Sequence, residues 1–190
     1  GGNLAYPSLQ GMDSGNNVIY VGTFSKSLFP GLRLGYMVVP EELVKPFSGM
    51  RFLIDRQSNE ILQMAVAEFI KTGLYETHLL KMRRIFEARR DYLIQAVQEN
   101  FGDWGKFIAT GRGMHLTFVF NNSDINDEAV ADLCRRQGVE LRSISSFSIG
   151  TPLYKGLIMG FGHFPPAQLL AAVSRIGFVL RDKFAAFGPN

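Results

Sequence analysis

Cysteine is almost absent from this chain: Cys134 stands alone among 190 residues. No intrachain disulfide can form, and the usage fits a reducing compartment, so the chain reads as cytoplasmic. Histidine is nearly as scarce, and three scattered residues offer no spacing that holds a metal. No apolar run approaches the roughly 20 residues needed to cross a bilayer. Gly1-Gly2 does not open a signal peptide, so no membrane partner is expected. Charge of one sign is not gathered either. The net +3 is spread along the sequence and gives no basic run for direct contact with nucleic acid. Repeats and low-complexity tracts are missing. The chain lacks an initiator Met and opens on loop-forming residues (Asn3, Pro7, Gly11, Gly15), which reads as a start inside a larger protein.

What is present is an ordinary globular composition, 46% hydrophobic and 19% charged. Val18–Val21 and Leu34–Val39 read as strands, the first of them buried. Pro40-Glu41-Glu42 starts a helix that Pro46 and Gly49 are expected to cut short. From Glu60 to Gln98 the pattern is helical with a break near Gly73, and Tyr75, Leu79, Met82, Phe86, Leu93 and Val97 keep one apolar face. The opposite face, with Lys81, Arg83, Arg84, Arg90 and Asp91, reads as solvated rather than as a docking surface. Beyond it, Phe107–Thr110 and His115–Phe120 read as strands joined by Gly111–Gly113. Asn126 caps a helix that carries Asp127 and Glu128 first, Arg135 and Arg136 last, and stops at Gly138. Val139–Arg142 and Leu157–Phe161 are further strands, and Pro165-Pro166 starts a final helix running toward Phe184.

The chemistry concentrates in Gly22-Thr23-Phe24-Ser25-Lys26-Ser27-Leu28-Phe29-Pro30-Gly31-Leu32-Arg33-Leu34-Gly35-Tyr36. A lysine ends a strand, with hydroxyls three and one residues before it and an arginine seven after it. A nearby fixed cation favours the neutral amine, which can form an imine with an aldehyde. Arg33, Thr23 and Ser25 together suit a phosphate dianion, since a guanidinium gives two charge-assisted bonds and the hydroxyls give others. An amine for an aldehyde and a cradle for a phosphate are the two needs of pyridoxal 5'-phosphate (PLP).

That segment resembles the lysine motif of fold-type I PLP-dependent aminotransferases, where Ser or Thr, Lys, a Pro-Gly turn, Arg, Gly and an aromatic recur. Further segments narrow the likeness: Val18 through Lys26, Gln63 through Ile70 with Gly73, His78-Leu79, Met82-Arg83-Arg84, Arg89-Arg90-Asp91 and Gly113-Met114-His115-Leu116. Together they resemble the MocR-type transcriptional regulators of the GntR superfamily, which fuse a winged-helix DNA-binding domain to an aminotransferase-like effector domain.

The resemblance implies an α/β fold, the C-terminal portion of a fold-type I PLP-dependent transferase. Residues 1–100 would be the end of the PLP-binding large domain with its long connecting helix, and 101–190 a small α/β subdomain. Lys26 would be the catalytic or cofactor-anchoring lysine, with Thr23, Ser25 and Arg33 as further cofactor-binding residues and no metal. The implied function is effector sensing in a transcriptional regulator, with an amine or amino-acid effector, DNA bound only through a separate winged-helix domain, and a homodimeric assembly. The alternative is a catalytic aminotransferase. The acidic partner of the cofactor ring, its stacking aromatic and the phosphate-binding helix would precede this segment, so the cofactor is expected on the longer protein and not on this chain by itself.

One departure stands out. Many relatives place an arginine for the substrate carboxylate two residues before a small residue and an aromatic in a late strand, and Gly160-Phe161 puts Ile158 in that slot. Arg142 and Arg112 are substitutes by residue type alone. His115 reads as a structural histidine that could instead line a pocket, and Cys134 reads as a small core residue.

Overall fold

The computed structural model describes residues 7–56, 59–108 and 113–189. Its contacts divide the chain into two compact units, Gly1–Leu80 and Lys81–Asn190. The division falls inside the long helix, between residues 80 and 81.

The first unit opens with a single helical turn, α1 (Leu9–Met12), capped by Ser8. Asp13 then collects the amides of Gly15, Asn17 and Val18 at 2.9, 2.6 and 2.8 Å. Those bonds, the Gly15 one first, hold its carboxyl below the usual carboxylate range. Strands β1 (Tyr20–Thr23) and β2 (Gly35–Val38) form an antiparallel ribbon in register Tyr20↔Val38 to Thr23↔Gly35. The Tyr36 ring covers Gly22 so closely that an added Cβ would meet its Cζ at 2.3 Å, which explains glycine there. The expected buried strand is not observed. Tyr20 and Val21 are exposed, and every residue of β2 is too, because two strands alone leave both faces open.

Pro46 does not end the next helix, contrary to expectation. Helix α2 runs Glu41–Asp55 through it. Proline removes one N–H from the ladder, but Glu42, whose carbonyl loses that donor, is exposed, and water can take its place. Helix α3 (Glu60–Lys71) is capped by Asn59. Gly73 adopts φ +75°, a left-handed conformation that breaks the helical run where the sequence places the break. Helix α4 (Leu74–Phe101) follows. The first unit's small core is Phe24, Leu32 and Val66, with Leu28, Leu34, Leu62 and Tyr75 packed around it.

In the second unit β3 (Gly105–Ile108), β4 (His115–Phe120), β5 (Arg142–Ser143) and β6 (Gly156–Gly160) form one antiparallel sheet in the order β3-β4-β6-β5. The expected strand to Thr110 is seen as far as Ile108. Residues 109–112, Arg112 among them, lie outside the described residues. The strand expected over Val139–Arg142 shrinks to the two residues of β5, though Val139 and Leu141 are buried as a strand would bury them.

Helices α5 (Asp127–Arg136) and α6 (Pro166–Lys183) complete the unit. Asn126 Oδ1 accepts from Ala129 N at 3.0 Å, the cap that the sequence implies, and Gly138 leaves α5 with φ +75°. The core joins Leu93 and Val97 of α4, Leu116 and Phe118 of β4, Leu157 and Met159 of β6, Val130 and Cys134 of α5, and Val173, Ile176 and Leu180 of α6. Alternation puts His115, Thr117, Ile158 and Arg142 on the opposite face of the sheet.

Candidate functional site

The lysine segment forms the connection between β1 and β2. Phe24 N donates to Leu34 O at 3.1 Å, which carries the ribbon one step past Thr23, and Leu28 N donates to Phe24 O at 2.8 Å, which closes the turn over Lys26. A short 3-10 helix at Pro30–Leu32 then leads to Arg33. Burial of Phe24 and Leu32 fixes the two ends of the loop, and the polar residues between them stay at the surface.

The four singled-out residues are placed as follows. Thr23 and Ser25 meet: Thr23 Oγ1 donates to Ser25 Oγ at 3.0 Å and accepts from Ser25 N at 3.1 Å. Lys26 is next in the turn and exposed, and its ammonium has no hydrogen-bond or ionic partner among the described residues. Arg33 is exposed as well, with φ 49° and ψ 36°. A left-handed conformation in a residue with a Cβ costs about 1–2 kcal/mol, and such strain gathers at sites where a side chain must be aimed. Its guanidinium is also uncommitted among the described residues.

No Asp or Glu occurs between Val18 and Pro40. The loop thus offers an amine, two hydroxyls and a guanidinium with no competing anion, a donor set that fits an aldehyde bearing a phosphate.

Two residues that sequence reasoning treated otherwise belong to this loop. Tyr75 Oη donates to Ser27 Oγ at 2.8 Å, and His78 Nε2 lies 3.0 Å from Ser27 O. Tyr75 also stacks edge-on with Phe24 at 5.9 Å. The two side chains stand three residues apart at the start of α4, so they share one helix face and together hold the residue that follows Lys26. The signal was the i, i+3 pair of a phenol and an imidazole inside an otherwise apolar stripe.

Other candidates separate cleanly. His115 is exposed on the open face of the second unit's sheet. Cys134 is fully buried, and burial pushes its thiol up to about 11. Ile158 is half-buried, directly opposite Thr117 on one side and Arg142 on the other. A cavity of about 340 Å³ lies elsewhere in this unit, floored by Val139, Leu141, Met159 and Ile176 and rimmed by Glu140 and Arg175. Among the described residues no helix is long and apolar enough to cross a membrane.

Comparison with known proteins agrees with this arrangement. The family model for aminotransferase class I and II matches residues 1–162. The chain belongs to that family. By sequence it is similar to the probable rhizopine catabolism regulatory protein MocR of Rhizobium meliloti, 32% identical over 180 residues, which cover 95% of this chain and 36% of that protein. It is also similar to an HTH-type transcriptional regulator, YhdI of Bacillus subtilis, 30% identical over 170 residues, with 90% and 36% covered. The chain therefore spans little more than a third of these relatives. By fold it resembles the aminotransferase Aro9 of C. albicans, with a TM-score of 0.84 at 21% identity over 97% of this chain and 43% of that one. The likeness establishes an α/β aminotransferase fold, and PLP dependence is general to the family.

Proposed function

We propose that this chain is the C-terminal part of the effector-sensing domain of a MocR-type (GntR superfamily) transcriptional regulator, and that Lys26 is its cofactor lysine. The observation that carries the reading is the reach of the regulator likeness: the match to MocR is 32% identical and extends over 95% of the chain, so that it spans both units. The enzyme structures resemble it at 21% identity, which speaks to fold alone.

Bound PLP supplies an aldehyde that condenses with primary amines and a phosphate that anchors it. Lys26 presents the amine. Thr23 and Ser25 offer hydroxyls already oriented toward each other, and Arg33 offers a forked cation held in a strained backbone. Tyr75 and His78 keep the following Ser27 in place. An amino compound that competes with Lys26 for the cofactor is then the effector, and DNA is contacted by a separate winged-helix domain. The assembly is a homodimer in the cytoplasm.

The test is borohydride reduction of the full-length protein with added PLP, followed by peptide mass spectrometry. Lys26 should carry the label, and Lys26→Ala should abolish it without loss of folding. Label on another lysine, or equal labelling of the variant, overturns the assignment. A band shift on promoter DNA that responds to an amine supports the regulator. Steady conversion of an amino donor to its keto acid would favour the catalytic aminotransferase.

A further inference from the structure

The ladder between β5 and β6 stops early, and a cavity opens where it stops. The register Arg142↔Ile158 and Ser143↔Leu157 would, if continued, set Leu141 against Met159 and Glu140 against Gly160. No backbone bond joins either pair. Backbone groups along a strand alternate between its two neighbours. Gly156 O accepts from Ile144 N on the β5 side, and Phe161 N donates to Met114 O on the β4 side. Gly160, four residues after the first and one before the second, therefore turns its N–H and C=O toward residues 139–141. Neither group has a partner among the described residues.

Beside this gap lies the cavity of about 340 Å³ floored by Val139, Leu141, Met159 and Ile176. Ligand pockets start at about 300 Å³. The space stays open because the residues around its mouth are small: Gly138, Gly160 and, on α6, Ala171 and Ala172. Its floor belongs to the helix-covered side of the sheet, whereas Ile158 and Arg142 point to the opposite side. Of the lining residues only Glu140 and Arg175 are charged, one of each sign. Both are engaged: Glu140 Oε2 accepts from Arg135 Nε at 3.3 Å, and Arg175 Nη1 donates to Gln137 O at 3.0 Å.

An apolar floor, a lining without net charge, and one backbone residue with a donor and an acceptor unmatched together define a ligand. A charged group would lose its hydration there without an uncommitted counter-ion. A carboxamide presents a C=O and an N–H side by side, and can exchange both bonds with Gly160 as a residue of a neighbouring strand does. We propose that this cavity binds a small uncharged molecule with a carboxamide head, bonded to Gly160, and an aliphatic body that lies on Val139, Leu141, Met159 and Ile176. The site uses no residue of the Lys26 loop and stands whether or not that lysine holds a cofactor.

The experiment titrates the full-length protein, without PLP, with 4-methylpentanamide and follows the Met159 methyl signal by methyl NMR, assigned with Met159→Leu. The amide should shift that signal to saturation. The carboxylate 4-methylpentanoate, with the same body, should bind about tenfold or more weakly, and acetamide, the head without a body, should shift nothing. Ala172→Phe, which fills the space, should abolish the shift, and so should Ala171→Leu at the mouth, while Ser174→Leu on the exposed side of α6 should not. The other methionine signals report that each variant is folded. If the amide leaves Met159 unmoved, if the carboxylate binds as well as the amide, or if both filled variants respond as the parent does, the proposal is refuted.

Discussion

Among single residues, Asp127 ties the start of α5 to two distant stretches of backbone. It is 1% exposed and accepts two backbone amides through Oδ2, Ser145 N at 3.1 Å and Gly156 N at 3.0 Å. Read from sequence it is only an acidic residue at a helix start, because its partners lie 18 and 29 positions away and nothing local announces them. Asp127→Ala strands two amides and should cost about 1–3 kcal/mol, read as a lowered midpoint in urea unfolding. Cys134 behaves in the opposite way, since a cysteine beside Leu133 on a helix announces its own burial. Its thiol stands raised from 9.0 to about 11 in the folded chain, so its contribution to stability is complete below pH 9 and is lost as pH rises through 11. Iodoacetamide at pH 8 should therefore leave Cys134 unmodified in the folded protein and label it on unfolding in urea. Rapid labelling under native conditions would contradict the burial.

Among the elements, those set by local chemistry were legible and those set by packing were not. Asn126, Gly138 and Gly73 each act on their own backbone, and each ends or starts a helix where the sequence puts it. Asn126→Ala should cost about 1 kcal/mol of thermal stability through the lost cap. Gly73→Ala should also destabilise, because φ +75° suits no Cβ, even though nothing lies within 4 Å of one. The persistence of α2 through Pro46 and the exposure of β1 were not legible, since both depend on what does or does not cover the element. Within the lysine loop the motif residues could be read directly, while the grip of Tyr75 and His78 on Ser27 needed the third dimension.

For the molecule as a whole, the ribbon presents unsatisfied apolar surface. Val21 and Met37 are paired in register on one face and are 69% and 50% exposed. Open strand edges and apolar faces of this kind recruit a further chain. Sedimentation velocity at tens of micromolar should find this chain dimeric or larger, and Val21→Lys with Met37→Lys should shift it toward monomer. A wild-type monomer under those conditions would mean the ribbon face is not adhesive.

Helix α4 carries one more consequence. Its 28 residues make a rod of about 42 Å at 1.5 Å per residue, fastened unevenly. Two side-chain bonds to Ser27 hold its first turns, and four buried residues, Leu93, Ala96, Val97 and Phe101, hold its last. Backbone amides along a single rod should then exchange with deuterium over a graded range of rates, fast through the exposed first turns and slow from Leu93 onward. Tyr75→Phe, which deletes one fastening, should hasten exchange over residues 74–80 and leave residues 93–101 as slow as before.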